Sequence, residues 1–423
     1  MKILQKKTNN LLVRKWLWPN ANDFSVFVSH DVDALVMPPH LLFMRALGDL
    51  AYLNIKEFLN KTELCFRYSF SALKSVVSGK IDFTEFLNNV KYEKLQTDPW
   101  FTIIELAKAE EIAGIKPSFF FLDNCSLRDS SYSLKSKFTK QIIDELKEMD
   151  FEIALHSGFQ TSENTEQMKL QKTNLEKVAG IKITGARQHR LKCTYPSTWQ
   201  IQKKSGLTYD STCLFNDLAG FSNGTCMPFE TFDYEKNECI ELLELPVTLM
   251  DVSLPLSQNN DFNYKEALTE SKKLIFEVIS KNGMIGLLWH PLSFENKKTK
   301  KLFESKFDRG LLRGSDLFWD LLEFAKKEGK AWFASGTEIS EWWNNRNNAQ
   351  INLRKTPKGY QLEISSDTEL EGLTLQIKTN KKIKNWQILN ADRGLAEFFN
   401  KNGDLFIVIK KSCENVNIVL NTC

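Results

Sequence analysis

The sequence has little charge imbalance, no long apolar run and no closely spaced cysteines, and each absence excludes a class of protein. Its 56 Lys and Arg residues nearly balance 53 Asp and Glu residues, and the net charge of +3 gives no case for nucleic acid or an anionic membrane as the main partner. No run of about 18 apolar residues occurs, so no transmembrane helix is predicted. None of the eight cysteines has the C-x-x-C spacing of a structural zinc site or a redox motif.

The composition is that of a globular protein. Hydrophobic residues make up 42% and charged residues 26% of the 423 residues, which is too apolar for general disorder. At ~100–200 residues per domain, two or three domains are expected. The N-terminal stretch carries charges through its one apolar segment and has no small-residue cleavage site, so no secretory signal is predicted. We therefore expect a cytoplasmic protein with reduced thiols.

Strands and helices alternate from residue 24 to about residue 346, which predicts an α/β fold. Apolar runs typical of buried strands lie at residues 24–28, 118–122, 151–155, 181–186, 284–289 and 331–333. Helical spacing occurs at residues 105–113, 138–149, 166–178, 198–204, 264–281, 317–327 and 338–346. Such repeats predict a mostly parallel sheet, open or closed into a barrel. The polar, aromatic-rich stretch from about residue 37 to 100 is interpreted as a helical insertion.

Past residue 348 the helical spacing stops and strand alternation begins. Apolar residues alternate at 360, 362 and 364 and again at 373, 375 and 377, and two further apolar runs lie at residues 405–409 and 416–420. Turn signals separate these runs. We predict a small antiparallel β-domain over residues 349–423, a sandwich rather than a barrel, after a first domain of residues 1–348.

Histidines are few, and their positions are informative. Of the five, His156, His189 and His290 fall at or just past the ends of predicted strands. Barrels and open α/β sheets both place their chemistry at the carboxyl ends of the strands. For a single histidine, a hydrogen-bonded core position is the commoner alternative. Arg187 ends a strand two residues before His189, so the two side chains share a face. A buried Arg187 that points inward needs an anion on that face. The alternative is an ordinary salt bridge from Arg187 to a neighbouring helix.

Two acidic residues follow the first strong strand. Strand alternation places Ser29, Asp31 and Asp33 on one face. Two carboxylates at one strand end repel each other unless a cation or a proton lies between them. A bound metal would resolve the repulsion, and solvated carboxylates in a capped turn are the alternative. Two Asp, three His and one Arg at one edge of a sheet form the inventory of a mononuclear metal hydrolase.

These motifs follow the order found in the NodB-type polysaccharide deacetylases, carbohydrate esterase family 4, and the chain resembles that family from about residue 24 to residue 346. The first match is Asp31-Val32-Asp33, in the variant with one residue between the acids. The later matches are Ser118-Phe119-Phe120-Phe121, Leu155-His156-Ser157, Arg187, Tyr209-Asp210-Ser211 and Leu288-Trp289-His290-Pro291. The resemblance implies a distorted (β/α) barrel with a helical insertion.

The resemblance also implies roles for the matching residues. Asp31 would be the general base, and Arg187 would hold it ionised and oriented. Asp33 and His156 would bind a divalent metal. His290 would be the general acid.

The chain departs from the family pattern at the histidine motif. The family usually has a second histidine four residues after the first, and here that position is Gln160. His189 stands two residues after the motif arginine, where proline is common. We hypothesise that His189 supplies the missing ligand, with the amide oxygen of Gln160 as the alternative. An Asp/His/His set suits zinc, and cobalt or nickel also fit.

Four further residues are weaker candidates for substrate binding. Tyr209 and Asp210 belong to a matched motif, Asp251 follows a strand-like run, and Trp289 is able to stack on a sugar ring. Core packing is the stronger interpretation for Trp289, and an ordinary cap for Asp251.

The expected function is metal-dependent removal of an acetyl group from an N-acetylated sugar or glycan. A nucleotide-linked or lipid-linked precursor of surface polysaccharide fits an intracellular enzyme best. The alternatives are hydrolysis of a non-sugar amide of the ureide type, and a non-catalytic glycan-binding protein whose β-domain does the binding. The absent second histidine favours the non-catalytic alternative, whereas the retention of Asp31, Arg187 and His290 opposes it.

Overall fold

The structure is a computed structural model. It describes residues 5–8, 11–36, 100–123, 132–254, 264–294, 315–379, 383–389 and 393–422. The predicted helical insertion at about residues 37–100 lies outside the described residues, apart from its last residue.

A curled, mostly parallel sheet forms the larger part of the molecule. After β1 (Gln5–Thr8) and β2 (Leu11–Lys15), its strands in chain order are β3 (Phe24–Val32), β4 (Ser118–Leu122), β5 (Glu152–Ser157), β6 (Gly185–Gln188), β7 (Tyr209–Asp210), β8 (Phe229–Asp233), β9 (Glu238–Glu244), β10 (Leu249–Met250), β11 (Met284–Leu288) and β12 (Ala331–Phe333). Their order in space is β10-β11-β3-β4-β5-β6-β7-β9-β8, and β12 pairs with the first part of β3. Only the β8–β9 pair is antiparallel. The predicted distorted (β/α) barrel is confirmed.

Helices pack around this sheet, and the last of them contributes Ile339 and Trp343 to the core inside the barrel. They are α1 (Ile103–Ile112), α2 (Lys137–Glu148), α3 (Thr165–Ala179), α4 (Ser197–Lys204), α5 (Tyr264–Ser280), α6 (Ser315–Glu328) and α7 (Gly336–Asn348). Local sequence fixes several ends: Ser136 and Asn164 cap α2 and α3 with their side chains, Ser335 and Glu338 form a capping box on α7, and Gly180 ends α3 in a left-handed conformation. All seven helices were predicted, with ends within a few residues.

Strand alternation divides the buried residues into an outer and an inner layer. On β4, Phe119 and Phe121 join the outer core that includes α2, whereas Phe120 packs inside the barrel with Phe27 and Ala154. Because parity is kept along each strand, the residues two positions after Phe27 and Ala154 also face inward. The polar side chains at the carboxyl ends of the strands therefore converge on the mouth of the barrel.

The C-terminal β-domain is a two-sheet sandwich, as predicted. Its strands are β13 (Gln350–Thr356), β14 (Gly359–Ser365), β15 (Thr374–Thr379), β16 (Ile383–Leu389), β17 (Ala396–Lys401), β18 (Asp404–Ile409) and β19 (Asn415–Thr422). One sheet has the order β13-β14-β19-β16 and the other β1-β2-β15-β18-β17. Leu375 and Ile407 of one sheet share a core with Leu362 and Ile418 of the other.

The N-terminal strands belong to this sandwich. Residues 11–15 of β2 pair antiparallel with residues 375–379 of β15. From the sequence no strand is predicted here, and these residues fall within the predicted first domain. The barrel is thus inserted between two strands of the sandwich.

None of the helices in the described part of the chain has the length and apolar character that crossing a membrane would require.

Candidate active site

A buried ion pair lies at the mouth of the barrel, between the ends of β3 and β6. The Nη1 of Arg187 donates to Oδ1 of Asp31 over 2.7 Å. Nη2 donates to the hydroxyls of Ser29 and Ser211 at 2.9 and 2.8 Å, and Nε donates to the carbonyl of Ser211 at 2.7 Å. The guanidinium also lies over the ring of Phe120, 4.4 Å from its centre. Arg187 is therefore held from all sides with its charge directed at Asp31.

This environment keeps Asp31 ionised. Burial is the largest influence on its pKa and raises it, but Arg187 and then His156 lower it by more in total, so the pKa of Asp31 lies below its ordinary value. The predicted orienting role of Arg187 agrees with this geometry.

Asp33, His156 and His189 bring one donor atom each to a common point. Their ligand atoms all lie within 4.8 Å of one another. The Oδ1 of Asp33 is 3.3 Å from Nε2 of His156 and 3.9 Å from Nε2 of His189. The two imidazole rings meet edge to face with centres 5.1 Å apart. Directly after His189 the chain turns sharply, because Arg190 and Leu191 take left-handed φ values of 56° and 53°.

The donor set fits a divalent ion. The Nδ1 of His156 is 3.1 Å from the carbonyl oxygen of Arg187, and since a carbonyl can only accept, this nitrogen carries the proton and Nε2 faces the cluster. The Oδ1 of Asp33 is buried and accepts no hydrogen bond from the described residues. One carboxylate oxygen and two imidazole nitrogens suit zinc and its neighbours in the periodic table. Gln160, the alternative ligand, is exposed to solvent.

The charges of this cluster are strongly coupled. Burial raises the pKa of Asp33, but contact with His156 and the nearby His290 lower it to about 2. Burial lowers the pKa of His156, and the two aspartates raise it above its ordinary value. A cation bound between these groups would balance the negative charge of the aspartates, which protonated histidines otherwise balance.

His290 also lies beside the cluster. Its Nε2 is 3.6 Å from Oδ2 of Asp33. Asp251 fixes the ring: Oδ1 lies 2.8 Å from Nδ1 of His290, and Oδ2 accepts from the backbone N–H of His290 at 2.9 Å and from the hydroxyl of Ser293. Burial lowers the pKa of His290, but Asp251 and then Asp33 raise it to about 10. Asp251 and Asp33 thus favour the protonated form of the His290 imidazole.

The structure corrects the substrate-binding predictions. Tyr209 is fully buried and donates through its hydroxyl to Glu152, at the amino-terminal end of β5. Asp210 is also fully buried and accepts from Gln202 at 2.8 Å. Trp289 is buried against Phe318, 5.6 Å between ring centres.

These three side chains fill the interior and do not reach the mouth of the barrel. Asp251 does reach it, but as the partner of His290.

Two further groups complete the site and were not assigned a role from the sequence. Ser29 and Ser211 each accept from Arg187 and donate to a backbone carbonyl, of Leu287 and Leu245 respectively, so their hydroxyl protons are fixed in direction. The sequence signals for these contacts were the alternation that places Ser29 and Asp31 on one face and the matched motif that contains Ser211.

Comparisons with known proteins give similarity at the level of structure only. No protein-family model matches the chain, and no curated protein matches it in sequence. Among solved structures, the chain is similar to a protein from Mycobacterium smegmatis assigned as a polysaccharide deacetylase, at 15% identity and a TM-score of 0.45 over 78% of this chain and 93% of that one.

Two other similar structures belong to carbohydrate esterase family 4. One is the Xyl-CE4 domain of a multidomain xylanase from the hindgut metagenome of Trinervitermes trinervoides, with 11% identity and a TM-score of 0.29 over 57% of this chain and 85% of that one. The other is a pseudoenzyme from Bacillus anthracis, with 11% identity and a TM-score of 0.30 over 57% and 61%. At these values the chemistry of this chain rests on its own side chains.

Proposed function

We propose that this chain is a metal-dependent hydrolase that removes the acetyl group from an N-acetylated sugar. The observation that carries the proposal is that three parts lie close together: the ligand atoms of Asp33, His156 and His189; Oδ2 of Asp31, 3.6 Å from Nε2 of His156; and Nε2 of His290, 3.6 Å from Oδ2 of Asp33. A carboxylate base and an imidazole acid beside one cation site suit hydrolysis of an amide, whose nitrogen leaves only after it gains a proton.

Asp33, His156 and His189 would hold the ion. A divalent ion at this point supplies Lewis acidity toward the acetyl carbonyl and activates water. Zinc is the first candidate because the set offers two imidazoles and one carboxylate.

Asp31 is the general base in this proposal. It accepts a proton from the attacking water, whose oxygen forms the new bond to the acetyl carbon. Its second oxygen, Oδ2, lies 3.6 Å from Nε2 of His156, whereas Oδ1 is occupied by Arg187. Oδ2 is therefore the oxygen that we assign to take the proton, and Arg187 holds the carboxylate in this orientation.

His290 is the general acid. It gives its proton to the nitrogen as the C–N bond breaks, and the products are acetate and the free amine. Asp251 holds the proton-bearing ring in place and stabilises its positive charge, as the orienting carboxylate does in other acid–base pairs.

An N-acetylated sugar is the substrate class that we favour, on the motif resemblance together with this geometry. Two measurements test it directly: acetate release from N-acetylhexosamine glycans and nucleotide-linked sugars, and ring opening of cyclic ureides. We expect acetate release from a sugar substrate, loss of that release with chelator, and recovery on adding Zn²⁺. Ring opening of ureides without acetate release from any sugar would replace the substrate class, and neither reaction with metal bound would indicate a glycan-binding protein.

His189 is proposed as the third protein ligand. The test is metal content after dialysis of the purified protein against Zn²⁺, for the His189→Ala variant and for Gln160→Ala as the matched control. We expect His189→Ala to lose bound zinc and Gln160→Ala to keep it. The reverse result would assign the ligand to Gln160, and unchanged occupancy in both would reject a third protein ligand from either residue.

A further inference from the structure

Two side chains hold the backbone on either side of His290. The carbonyl oxygen of Trp289 is 2.7 Å from Nδ1 of His30, and the carbonyl oxygen of Pro291 accepts from the hydroxyl of Thr102 at 2.5 Å. The parallel pairing of β11 with β3 ends at Leu288, so the carbonyl of Trp289 lies beyond the sheet ladder and needs another donor, which His30 supplies. The carbonyl of Pro291 accepts from the backbone N–H of Phe294 at 3.1 Å, and Thr102 gives it a second donor.

His30 is in turn held by a buried carboxyl. Its Nδ1 must carry a proton, because a carbonyl oxygen can only accept. Its Nε2 lies 2.8 Å from Oε1 of Glu110 on α1, and both side chains are fully buried. The ring is packed among aromatic side chains, with Phe119 and Phe318 at 4.9 and 6.0 Å between ring centres.

Packing alone does not account for this pair. Taking an imidazole and a carboxyl out of water is costly, and apolar residues of similar volume serve a core at least as well. A hydrogen-bonded polar chain inside an aromatic core instead specifies one geometry. The chain here runs from Glu110 through His30 to the residue next to His290, and Thr102 begins the same helix, α1, at its N-cap position.

We propose that Glu110, His30 and Thr102 are positioning residues for the general acid. Through two carbonyls they fix the backbone of residues 289–291, and Asp251 fixes the His290 ring on that backbone. The inference rests on the proposed function for the reaction, and it adds α1 to the parts of the molecule that set the proton-donating geometry. It also accounts for His30, which lies outside the cluster itself.

The test separates proton donation from the rest of the reaction. The 4-nitrophenolate of 4-nitrophenyl acetate leaves without being protonated, whereas the amine of an amide must gain a proton before it leaves. We therefore compare kcat for an N-acetylated sugar and for 4-nitrophenyl acetate in Glu110→Ala and Thr102→Val. We expect kcat on the amide to fall on the order of 10²-fold, since small misplacement of a catalytic group has effects of that size, with KM and the ester reaction little changed.

Two controls distinguish positioning from general loss of structure. Glu110→Gln keeps a partner for Nε2 of His30 and should restore most of the amide activity. Glu152→Ala removes a partly buried, hydrogen-bonded carboxyl at the other end of the barrel and should lower both reactions together. Equal losses on amide and ester in Glu110→Ala, or unchanged amide activity in both Glu110→Ala and Thr102→Val, would overturn the inference.

A spectroscopic measurement keeps the inference testable if the wild type deacetylates no sugar. The chain has five histidines, so the imidazole signals in a ¹H–¹⁵N NMR spectrum can be assigned by single replacements. We expect the His290 signals to shift or broaden in Glu110→Ala and Thr102→Val and to return in Glu110→Gln. His290 signals identical to those of the wild type in the two truncating variants would refute the positioning role, whatever the substrate.

Discussion

Replacing Arg187 by Met should destabilise the barrel by about 3–5 kcal/mol at neutral pH, because removing one partner of a buried ion pair leaves an uncompensated charge. Arg187 is fully buried and Asp31 is 3% exposed, so water cannot replace the guanidinium without rearrangement. Met has similar length and can keep the contact with Phe120. The loss thus reports the charge and its hydrogen bonds rather than an empty volume.

The size of this loss should depend on pH in a defined direction. In the wild type the folded-state pKa of Asp31 is below the unfolded value of about 3.9, so Asp31 adds stability above that pH and loses it as the pH falls through the folded pKa. Without Arg187, burial dominates and the pKa rises. The ionised carboxyl then destabilises the folded state, and protonation at lower pH relieves it. The difference in the free energy of unfolding between wild type and variant should therefore become smaller from pH ~7 toward pH ~4.

Urea unfolding followed by tryptophan fluorescence, in chelator at several pH values, measures this gap. Adding Asp31→Asn to the Arg187→Met variant should recover most of the loss, since it removes the unpaired charge. Arg354, whose side chain is 67% exposed on the sandwich, gives a matched Arg→Met control expected to stay within about 0.5 kcal/mol. A loss at Arg187 below about 1 kcal/mol that does not change with pH would refute the reasoning.

Three further outcomes follow from single contacts. Asp251→Asn should shift the basic limb of the kcat/KM pH profile to lower pH, because Asp251 is the main group that raises the pKa of His290 to about 10. A basic limb at the same pH as in the wild type would exclude His290 as the titrating acid. Gly185→Ala should cost about 3 kcal/mol or more in urea unfolding, since a Cβ there would lie 1.9 Å from the ring of the buried Tyr209; a smaller cost would mean that the ring moves freely. Burial holds the pKa of the Glu244 carboxyl well above its ordinary value, so the folded wild type binds a proton that the unfolded chain has lost at neutral pH. The free energy of unfolding of Glu244→Gln should therefore rise relative to that of the wild type between pH 6 and 8, by up to about 1.4 kcal/mol per pH unit. A difference that stays constant with pH would contradict the raised pKa.

The approximate place of the site could be predicted because each of its groups follows a strand. Asp31, His156 and His290 all leave parallel strands at their carboxyl ends, and parallel strands bring those ends to one edge. The elements themselves were predictable for the same reason, since buried parallel strands are continuous apolar runs. Functional side chains that directly follow a strand can therefore be located from a single sequence.

The depth of a side chain within the barrel, and the side chain that it contacts, were not predictable from the sequence. Alternation correctly implies that Tyr209 faces the same way as Ser211, but it does not say that Tyr209 lies a layer lower, where its hydroxyl meets Glu152. Asp251 follows a strand of two residues, and its contact with His290 depends on how that strand pairs with β11. Stagger and register of this kind arise from tertiary packing and leave no periodic signal.

The pairing of β2 with β15 constrains how the molecule is made. Residues 11–15 leave the ribosome long before their hydrogen-bonding partners at residues 375–379, which emerge only after the entire barrel has been synthesised. Until then the edge of β2 that faces β15 is unpaired and able to pair with other nascent chains. A shortened chain that ends after α7 would keep that edge exposed permanently, so an isolated barrel should be produced from a start point after residue 15 rather than by trimming the end alone.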